Sequence, residues 1–349
     1  MNYYITIPRP SIKLEINPIY ANNDEELQPY ISPSTLYYLN DVKNQIKKIK
    51  SEINRIYNTD YIFNLINPYD FIFSEYDNTN KTVSLLPMKT MLYYNMLEIN
   101  LILNIMNNFY NSSINVLLYT LDNSAIKYYI QSIKRENNSF FDLSDETLSG
   151  FQNYDLINKE CHNTGVMSLM IFELNESICN NIDNYINYLL YIVLAIIYEQ
   201  TNDGLTILKI TQLCHKPIID IIYLLSSFFN KTYICKPYIS YQEERFIIYE
   251  KYINNYTIEE KNKIIYNIKK LLLRETSVIS ILKNTIPLYV LNKIEDSNII
   301  IGYHSLEHYN ELINICKSKN ISERIDTFKK NSINKSIQWC CSHNIPCNK

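Results

Sequence analysis

A lysine and a glutamate at the ends of two apolar runs are the residues of this sequence best placed to do chemistry. Lys209 is the fifth residue of the run LTILKI (residues 205–210), and Glu244 opens the run ERFIIYEKY (residues 244–252). Lysine is almost never fully buried unless it is paired, so Lys209 lies either at an exposed strand end or in a functional site. A neutral lysine amine can accept the proton of a hydroxyl group, and a nearby carboxylate can orient that amine. The pair therefore indicates proton transfer from an alcohol, unless both residues are ordinary solvent-facing strand ends.

The elements that must position these two residues are strands and helices that alternate through the middle of the chain. The pattern predicts strands over residues 113–121, 166–174, 205–210, 231–236 and 244–252, helices over residues 125–134, 179–200 and 217–229, and a turn over residues 201–204. Such alternation predicts an α/β fold with a mostly parallel sheet. Only seven residues separate the last two strands, too few for a parallel crossover, so we expect the last strand to be antiparallel. Lys209 and Glu244 would then reach the same edge of the sheet, where α/β proteins bind ligands.

Three regions are expected along the chain. They are an N-terminal arm and helical region (residues 1–85), an α/β core (residues 86–255) and a helical C-terminal region (residues 256–349). The first region contains an extended, proline-marked start, a helix over residues 34–57 and a loop or hairpin over residues 60–82. The core begins with a helix over residues 88–109, and the third region has a break over residues 287–302.

The composition limits the classes of function open to the chain. Of its 349 residues, 46% are hydrophobic, which is enough for a sizeable core, and the net charge is −3. This balance gives no overall basic signal, so contact with nucleic acid must rest on local patches. Candidate patches are the lysine face of the helix over residues 34–57 and the lysines at positions 329, 330 and 335. The alternative is that these faces are simply solvated.

The sequence predicts no export signal and no membrane span. Its first ten residues lack a basic-then-apolar pattern, and the apolar stretch over residues 185–198 has the length of a buried helix. The eight cysteines are scattered along the chain. We therefore expect a cytoplasmic protein with reduced thiols and no membrane partner.

Two short segments contain residue types that bind metals. HSLEH (His304–His308) matches a zinc metalloprotease pattern in which two histidines share a helix face. The segment over residues 338–349 contains three cysteines and one histidine, but two of the cysteines are adjacent, which is a poor spacing for zinc. Five-residue matches are common in a chain of this length, and thiols often pack as small apolar groups. We therefore expect no bound metal.

The segment over residues 204–248 resembles the C-terminal half of the FtsJ-like ribose 2′-O-methyltransferases. It contains GLTILKI, then YICKPYIS with Lys236, Pro237 and Ser240, then EERFII. It looks most like the cap-specific methyltransferase-like proteins of large cytoplasmic DNA viruses. The resemblance implies a Rossmann-like methyltransferase fold with an antiparallel last strand and helical additions at both ends. It also implies S-adenosylmethionine as the cofactor and RNA near the mRNA 5′ cap as the partner.

The resemblance also implies site residues. The third and fourth members of the family's Lys-Asp-Lys-Glu tetrad fall on Lys209 and Glu244. The second member falls on Glu173, at the end of the strand MIFE, and the first falls on Asn95 in YYNMLEI. The sequence thus has a longer acid at one position and a neutral amide at another.

The cofactor loop of the family falls on LLYTLDNSA, in which Leu121, Asp122 and Asn123 follow the predicted strand. The family has glycines here and this chain has none, which narrows the space for a nucleotide.

Two functions remain open at this point. In the first, Lys209 is the base for methyl transfer to a ribose 2′-hydroxyl, and Glu244 and Glu173 orient it. In the second, the chain is a catalytically inactive subunit that binds RNA or a capping-enzyme partner, similar to the non-catalytic subunit of the poxviral capping enzyme. The amide of Asn95 cannot help to depress the pKa of the base, which favours the second function. The pairing of Lys209 with Glu244 favours the first.

Overall fold

A seven-stranded sheet is the centre of the molecule. The computed structural model describes residues 3–22, 27–53, 67–75, 81–110, 112–133, 137–154, 166–174, 178, 181–211, 213–240, 243–253, 255–318 and 320–348. Parts of several predicted segments lie outside these residues. They include two pieces of the arm over 1–33, the ends of the helices over 34–57 and 125–134, most of the loop over 60–82 and the start of the helix over 179–200.

The strands form one large sheet and one small one. They are β1 (Tyr3–Ile7), β2 (Ile16–Tyr20), β3 (Asn115–Tyr119), β4 (Ser139–Asp142), β5 (Met167–Glu173), β6 (Gln200–Ile210), β7 (Phe229–Lys236), β8 (Arg245–Tyr252) and β9 (Val278–Leu282). The large sheet has the order β1-β7-β8-β6-β5-β3-β4, and β2 pairs with β9. Strand β8 runs antiparallel between β6 and β7, and β1 is antiparallel to β7, whereas β3 to β6 are parallel neighbours. The predicted α/β class with a mostly parallel sheet and an antiparallel last strand is confirmed.

Helices cover both faces of the large sheet. They are α1 (Pro33–Ile53), α2 (Met91–Leu103), α3 (Asn123–Ile133), α4 (Asp145–Gly150), α5 (Ile182–Glu199), α6 (Lys216–Ser227), α7 (Ile258–Leu272), α8 (Leu288–Cys316) and α9 (Ile321–Ser342). Short 3-10 turns cover Asp70–Ile72, Asn107–Phe109 and Phe151–Asn153. None of the helices in the described ranges is both long enough and apolar enough to cross a membrane.

Alternate residues of each strand pack into different layers. In β6, Leu208 and Ile210 face the core that contains α5, α6 and α7, whereas Leu205 and Ile207 face the core that contains α2 and α3. This is the two-residue period of a strand that is buried on both faces. Helix α8 contributes to both cores, with its first turns on one side and its last turns on the other. It therefore crosses over an edge of the sheet.

Four strands were not predicted from the sequence. Strand β4 has only four residues and none of them is fully buried, so it carries no apolar run. Strands β1, β2 and β9 lie in or pair with the N-terminal segment, which has an extended, proline-marked sequence. The arm predicted over residues 1–33 therefore includes strands that pair with distant parts of the chain.

Two local predictions are wrong. Residues 201–204 do not form a separate turn but belong to β6, where Asp203 has a φ of 58° and the register with β5 shifts, as in a β-bulge. The break over residues 287–302 is absent, because α8 begins directly after Pro287 and continues through Gly302. Gly302 lies where α1 crosses α8, and a Cβ at this position would overlap the methyl group of Thr35. The glycine therefore allows two helices to approach closely and does not end one.

Candidate active site

Lys209 is buried between two carboxylates at the carboxyl edge of the sheet. Its Nζ lies 2.8 Å from Oε1 of Glu173 and 2.9 Å from Oε1 of Glu244. Glu173 ends β5 and is the register partner of Lys209 on β6, and Glu244 directly precedes β8. The structure thus brings three of the residues assigned by resemblance into one cluster, which we call the lysine–carboxylate centre.

Two opposing effects act on the pKa of Lys209. Burial lowers this pKa, because a charged amine is poorly solvated there, whereas Glu244 and Glu173 raise it. The carboxylates outweigh burial, so the pKa lies above its usual value and Lys209 is an ammonium at neutral pH. An ammonium can donate hydrogen bonds to a substrate oxygen but cannot accept a proton. Lys209 can therefore act as a base only when another positive charge enters the centre.

The loop predicted to hold the cofactor contacts this centre. The backbone N–H of Leu121 donates to Oε2 of Glu173 at 3.1 Å, so one carboxylate contacts both the lysine and the loop. Oδ1 of Asp122 accepts a backbone N–H of α3 at 3.2 Å, and Oδ1 of Asn123 accepts the hydroxyl of Thr120 at 2.7 Å. These side-chain bonds fix the turn between β3 and α3 without a glycine. The side chain of Leu121 is 65% exposed.

Two buried oxygens beside the centre have no hydrogen-bond partner within the described part of the chain. They are Oε2 of Glu244 and Oγ1 of Thr211, the residue that follows β6. Buried polar atoms in proteins are nearly always bonded to protein or to water. Unpartnered acceptors at this edge therefore indicate room for a polar ligand, such as a hydroxyl group.

Asn95 is not joined to the centre by any hydrogen bond. It is fully buried on α2, and neither Oδ1 nor Nδ2 has a partner among the residues that the structure describes. One turn later, Glu98 is also fully buried, and its Oε1 accepts the backbone N–H of Tyr238 at 2.9 Å. Burial raises the pKa of Glu98, although the bond from Tyr238 opposes that effect. This face of α2 therefore packs on the loop after β7.

Lys236 is a second lysine at the same edge of the sheet. It ends β7, and its Nζ donates to the backbone carbonyl of Ser240 at 2.8 Å. Burial lowers the pKa of Lys236 to about 7, and the cation of Lys209 also acts in this direction, whereas the carboxylate of Glu244 opposes it. In the sequence, Lys236 was identified only as part of the motif YICKPYIS that resembles the methyltransferase family, and it was not predicted to belong to the site. The sequence signal was a lysine at the end of a strand, the same signal that identified Lys209.

Arg245 bonds α8 to this edge. Its Nη1 donates to Oδ1 of Asn298 at 2.7 Å, and Nδ2 of Asn298 donates to the carbonyl of Leu213 at 3.0 Å. Both side chains are almost fully buried. Helix α8 is therefore fixed to the start of β8 and to the loop after β6, the two segments adjacent to Glu244 and Lys209.

The two candidate metal segments lie on the C-terminal helices. His304 and His308 are both within α8, and Nδ1 of His304 lies 3.4 Å from Oε2 of Glu307. The ring of His343 stacks on Trp339 with 4.1 Å between ring centroids. Within the described ranges, no group of three or more His, Cys, Asp or Glu residues is arranged to hold a metal ion.

Comparison with known proteins finds a weak structural similarity. A crystal structure from Plasmodium falciparum, provisionally assigned as a ribosomal RNA methyltransferase, matches with a TM-score of 0.36 and 14% sequence identity. The match covers 48% of this chain and 99% of that one. No protein-family profile and no curated protein sequence matches the chain. A similarity of this size does not identify a function.

Proposed function

We propose that this chain is an S-adenosylmethionine-dependent RNA methyltransferase that acts on a ribose 2′-hydroxyl group. The observation that carries the proposal is the buried ion-paired cluster of Lys209, Glu173 and Glu244 at the carboxyl edge of a mostly parallel sheet. Ligands of α/β proteins bind at this edge. The unpartnered Oε2 of Glu244 offers an acceptor for the hydroxyl group beside the lysine.

In this mechanism the centre holds the hydroxyl group and receives its proton. Oε2 of Glu244 accepts the hydroxyl hydrogen bond, while Oε1 and Glu173 keep the Nζ of Lys209 in place. S-adenosylmethionine, when bound, supplies the methyl group and a positive charge. A positive charge near Lys209 lowers its pKa, which lets the amine lose its proton to water. The hydroxyl hydrogen then turns from Oε2 of Glu244 to the neutral amine, which accepts the proton. In-line positioning of the oxygen contributes the rest of the rate enhancement.

The residues near the loop after β3 fit such a cofactor in chemical type. Leu121 presents an exposed apolar side chain, and Asp122 and Asn123 follow it. Asp142 ends the neighbouring strand β4, and its carboxylate, 2.6 Å from Nζ of Lys127, is a suitable acceptor for a pair of ribose hydroxyls. We propose these residues as the cofactor side of the site.

The first prediction tests catalysis. The purified protein, incubated with labelled S-adenosylmethionine and a 5′-capped RNA, is expected to label the RNA. Lys209→Ala should lower the rate by about 10²–10⁴, because the loss of a general base typically has an effect of that size. Lys231→Ala is the matched control, because Lys231 is an exposed lysine near the start of β7, away from the carboxyl edge. Equal labelling by wild type and Lys209→Ala would rule out the proposed role of the centre.

A second candidate function is a catalytically inactive subunit that binds RNA or a capping enzyme. Two observations favour it: the raised pKa of Lys209, and a cofactor loop whose polar atoms are bonded within the loop, to α3 and to Glu173. Calorimetric titration of the wild type with S-adenosylmethionine separates the two functions. Binding supports the enzyme, whereas no binding together with retained RNA binding supports the subunit.

The sequence resemblance supports a finer version of the proposal, in which the ribose lies next to the 5′ cap of an mRNA. The labelling assay tests this version directly, with uncapped RNA of the same sequence as the comparison. Equal rates on both RNAs would show that the protein does not recognise the cap, while the proposal of methyl transfer to RNA would be retained.

A further inference from the structure

A cavity of about 220 Å³ lies beside the lysine–carboxylate centre. Lys236 lines it from the end of β7, and His304, His308 and Lys335 line it from α8 and α9. Ser240 also lines it and accepts the hydrogen bond from Nζ of Lys236. Because β7 is parallel to β6, the cavity opens at the same edge of the sheet as the centre.

The charge of this cavity is one-sided. Two lysines and two histidines line it, and no Asp or Glu is among the described residues that do so. Burial lowers the pKa of His308 to about 4, and the cations of Lys335 and His304 act in the same direction. At neutral pH His308 is uncharged, so the positive charge of the lining comes mainly from Lys335 and from the protonated fraction of Lys236. Glu307, beside His304, and Glu244, near Lys236, do not line the cavity. The arrangement favours an anionic ligand.

The remaining lining is aromatic and apolar. The rings of Tyr69 and Tyr238 lie 5.7 Å apart at the cavity, which Tyr3 and Tyr309 also line. Single-stranded nucleic acids are commonly bound by a combination of aromatic side chains that stack on bases and cations that contact phosphates. Most ligand pockets have volumes of about 300–1,000 Å³, so this smaller cavity can enclose only part of a single nucleotide.

We propose that this cavity binds a nucleoside phosphate, with the phosphate at Lys236 and Lys335 and the base at the tyrosines. The inference deepens the proposed function and rests on it, because it places one nucleotide of the RNA substrate beside the nucleotide that reacts. Helices α8 and α9 form part of the walls of the cavity, so the site depends on the C-terminal helices as well as on the sheet.

Calorimetry with adenosine 5′-monophosphate as the probe, without cofactor, tests the inference. We expect binding by the wild type and at least tenfold weaker binding of adenosine, because a charge-assisted hydrogen bond to phosphate is lost. Lys236→Met and Lys335→Met should each weaken binding of the probe about tenfold or more. Lys317→Met is the matched control, since Lys317 is an exposed lysine directly after α8 that does not line the cavity. The affinity of this variant for the probe should equal that of the wild type.

The number of protons taken up on binding distinguishes two roles of Lys236. It changes if the amine contacts the phosphate, and it does not change if Lys236 only supports the structure. The charged groups that act on Lys236 are Glu244, Arg245, Glu243 and Lys209, with Lys335, His304 and His308 around the same cavity. Since the pKa of Lys236 is about 7, a bound phosphate should raise it and draw up to about half a proton onto the amine at pH 7. Titrations in two buffers with different ionisation enthalpies measure this number. Wild type and Lys335→Met should take up more protons than Lys236→Met does.

The outcomes separate the inference from the proposed function. Equal affinity for adenosine and its monophosphate, or no binding of the monophosphate at millimolar concentration, overturns the inference. Unchanged affinity in both lysine variants also overturns it, and Lys335 is exposed, so that variant is expected to fold. If adenosine 5′-monophosphate binds and both lysine variants weaken its binding, but no methyl transfer is found, the inference is supported and the proposed enzymatic function is wrong. Methyl transfer by the wild type, together with unchanged RNA affinity in Lys236→Met and Lys335→Met, would support the enzyme and overturn the inference.

Discussion

At the scale of single residues, two buried asparagines differ in whether their side-chain amides are hydrogen-bonded. Asn95 on α2 is fully buried and its amide has no partner within the described ranges. Asn298 on α8 is 3% exposed and bonds to Arg245, to the carbonyl of Leu213 and to the hydroxyl of Ser32. An unpaired buried amide destabilises the folded state, whereas a bonded one in a network with a charged group stabilises it.

This contrast predicts different effects of the same substitution. Asn298→Ala should lower the free energy of unfolding by about 2 kcal/mol more than Asn95→Ala does, because it removes the shortest hydrogen bond of a buried charge. The bonds left to Arg245, to Ser297 and to the carbonyl of Glu243, are long, at 3.5 and 3.4 Å. The lost side-chain volume is the same in both variants and largely cancels in the comparison. Urea unfolding followed by circular dichroism measures both values. Equal losses would mean that Asn95 has a partner, such as ordered water. Asn95→Lys would bury a new cation at this position, and we expect it to destabilise the protein without raising the rate of methyl transfer.

The candidate site could be predicted from the sequence only where chain-local rules apply. Lys209 and Glu244 each lie at an end of an apolar run, and the carboxyl-edge rule for α/β sheets then brings them together. Glu173 was assigned only through the family resemblance. Lys236 has the same local signal, but its surroundings depend on α8 and α9, which fold over the sheet edge from far along the chain. The pKa of Lys209 also could not be predicted from the sequence, because it depends on the balance between burial and two carboxylates from other strands.

At the scale of elements, α8 has the largest role in joining parts of the fold. It packs against α1, crosses both cores and bonds to Arg245 at the active edge. The sequence predicted the core strands because β3 and β5 to β8 are buried runs of β-branched and aromatic residues. It predicted a break in α8 because Pro287 and Gly302 usually interrupt helices. Here Pro287 precedes the first turn, and helix–helix packing requires Gly302.

The close approach of α1 and α8 gives the next prediction. Gly302→Ala should destabilise the protein by about 1–3 kcal/mol, because the new methyl group overlaps that of Thr35. In a Thr35→Ala background the overlap is gone, so the same change should become neutral or stabilising by up to about 1 kcal/mol through helix propensity. The coupling energy of this double-mutant cycle, from denaturant unfolding, is the measurement. Additive effects would show that the two helices move apart without loss.

At the scale of the whole molecule, one buried acid makes stability depend on pH. Burial raises the pKa of Asp70 to about 6, although a hydrogen bond from Ser74 opposes that effect. Because this value exceeds that of the unfolded chain, the unfolded state releases its proton first as the pH rises. The free energy of unfolding should therefore fall between about pH 4 and pH 6, by an amount on the order of 2–3 kcal/mol from this residue.

Asp70→Asn tests the dependence. This variant should gain stability relative to the wild type between pH 4 and pH 7, because its amide has no proton to lose. Chemical unfolding of both proteins at several pH values provides the comparison. Parallel stability curves would mean that Asp70 titrates equally in the folded and unfolded states.

The pairing of β1 with β7 has a consequence for how the protein is made. Tyr3 lies opposite Lys236, more than 200 positions later. At ~5–20 residues per second, the ribosome needs roughly 10–50 s to reach the partner strand. During this time β1 is an unpaired strand that other chains could join, and long-range pairing of this kind is slow to form. Its length of five residues and the prolines at positions 8 and 10 limit such pairing, so they protect the nascent chain until β7 emerges.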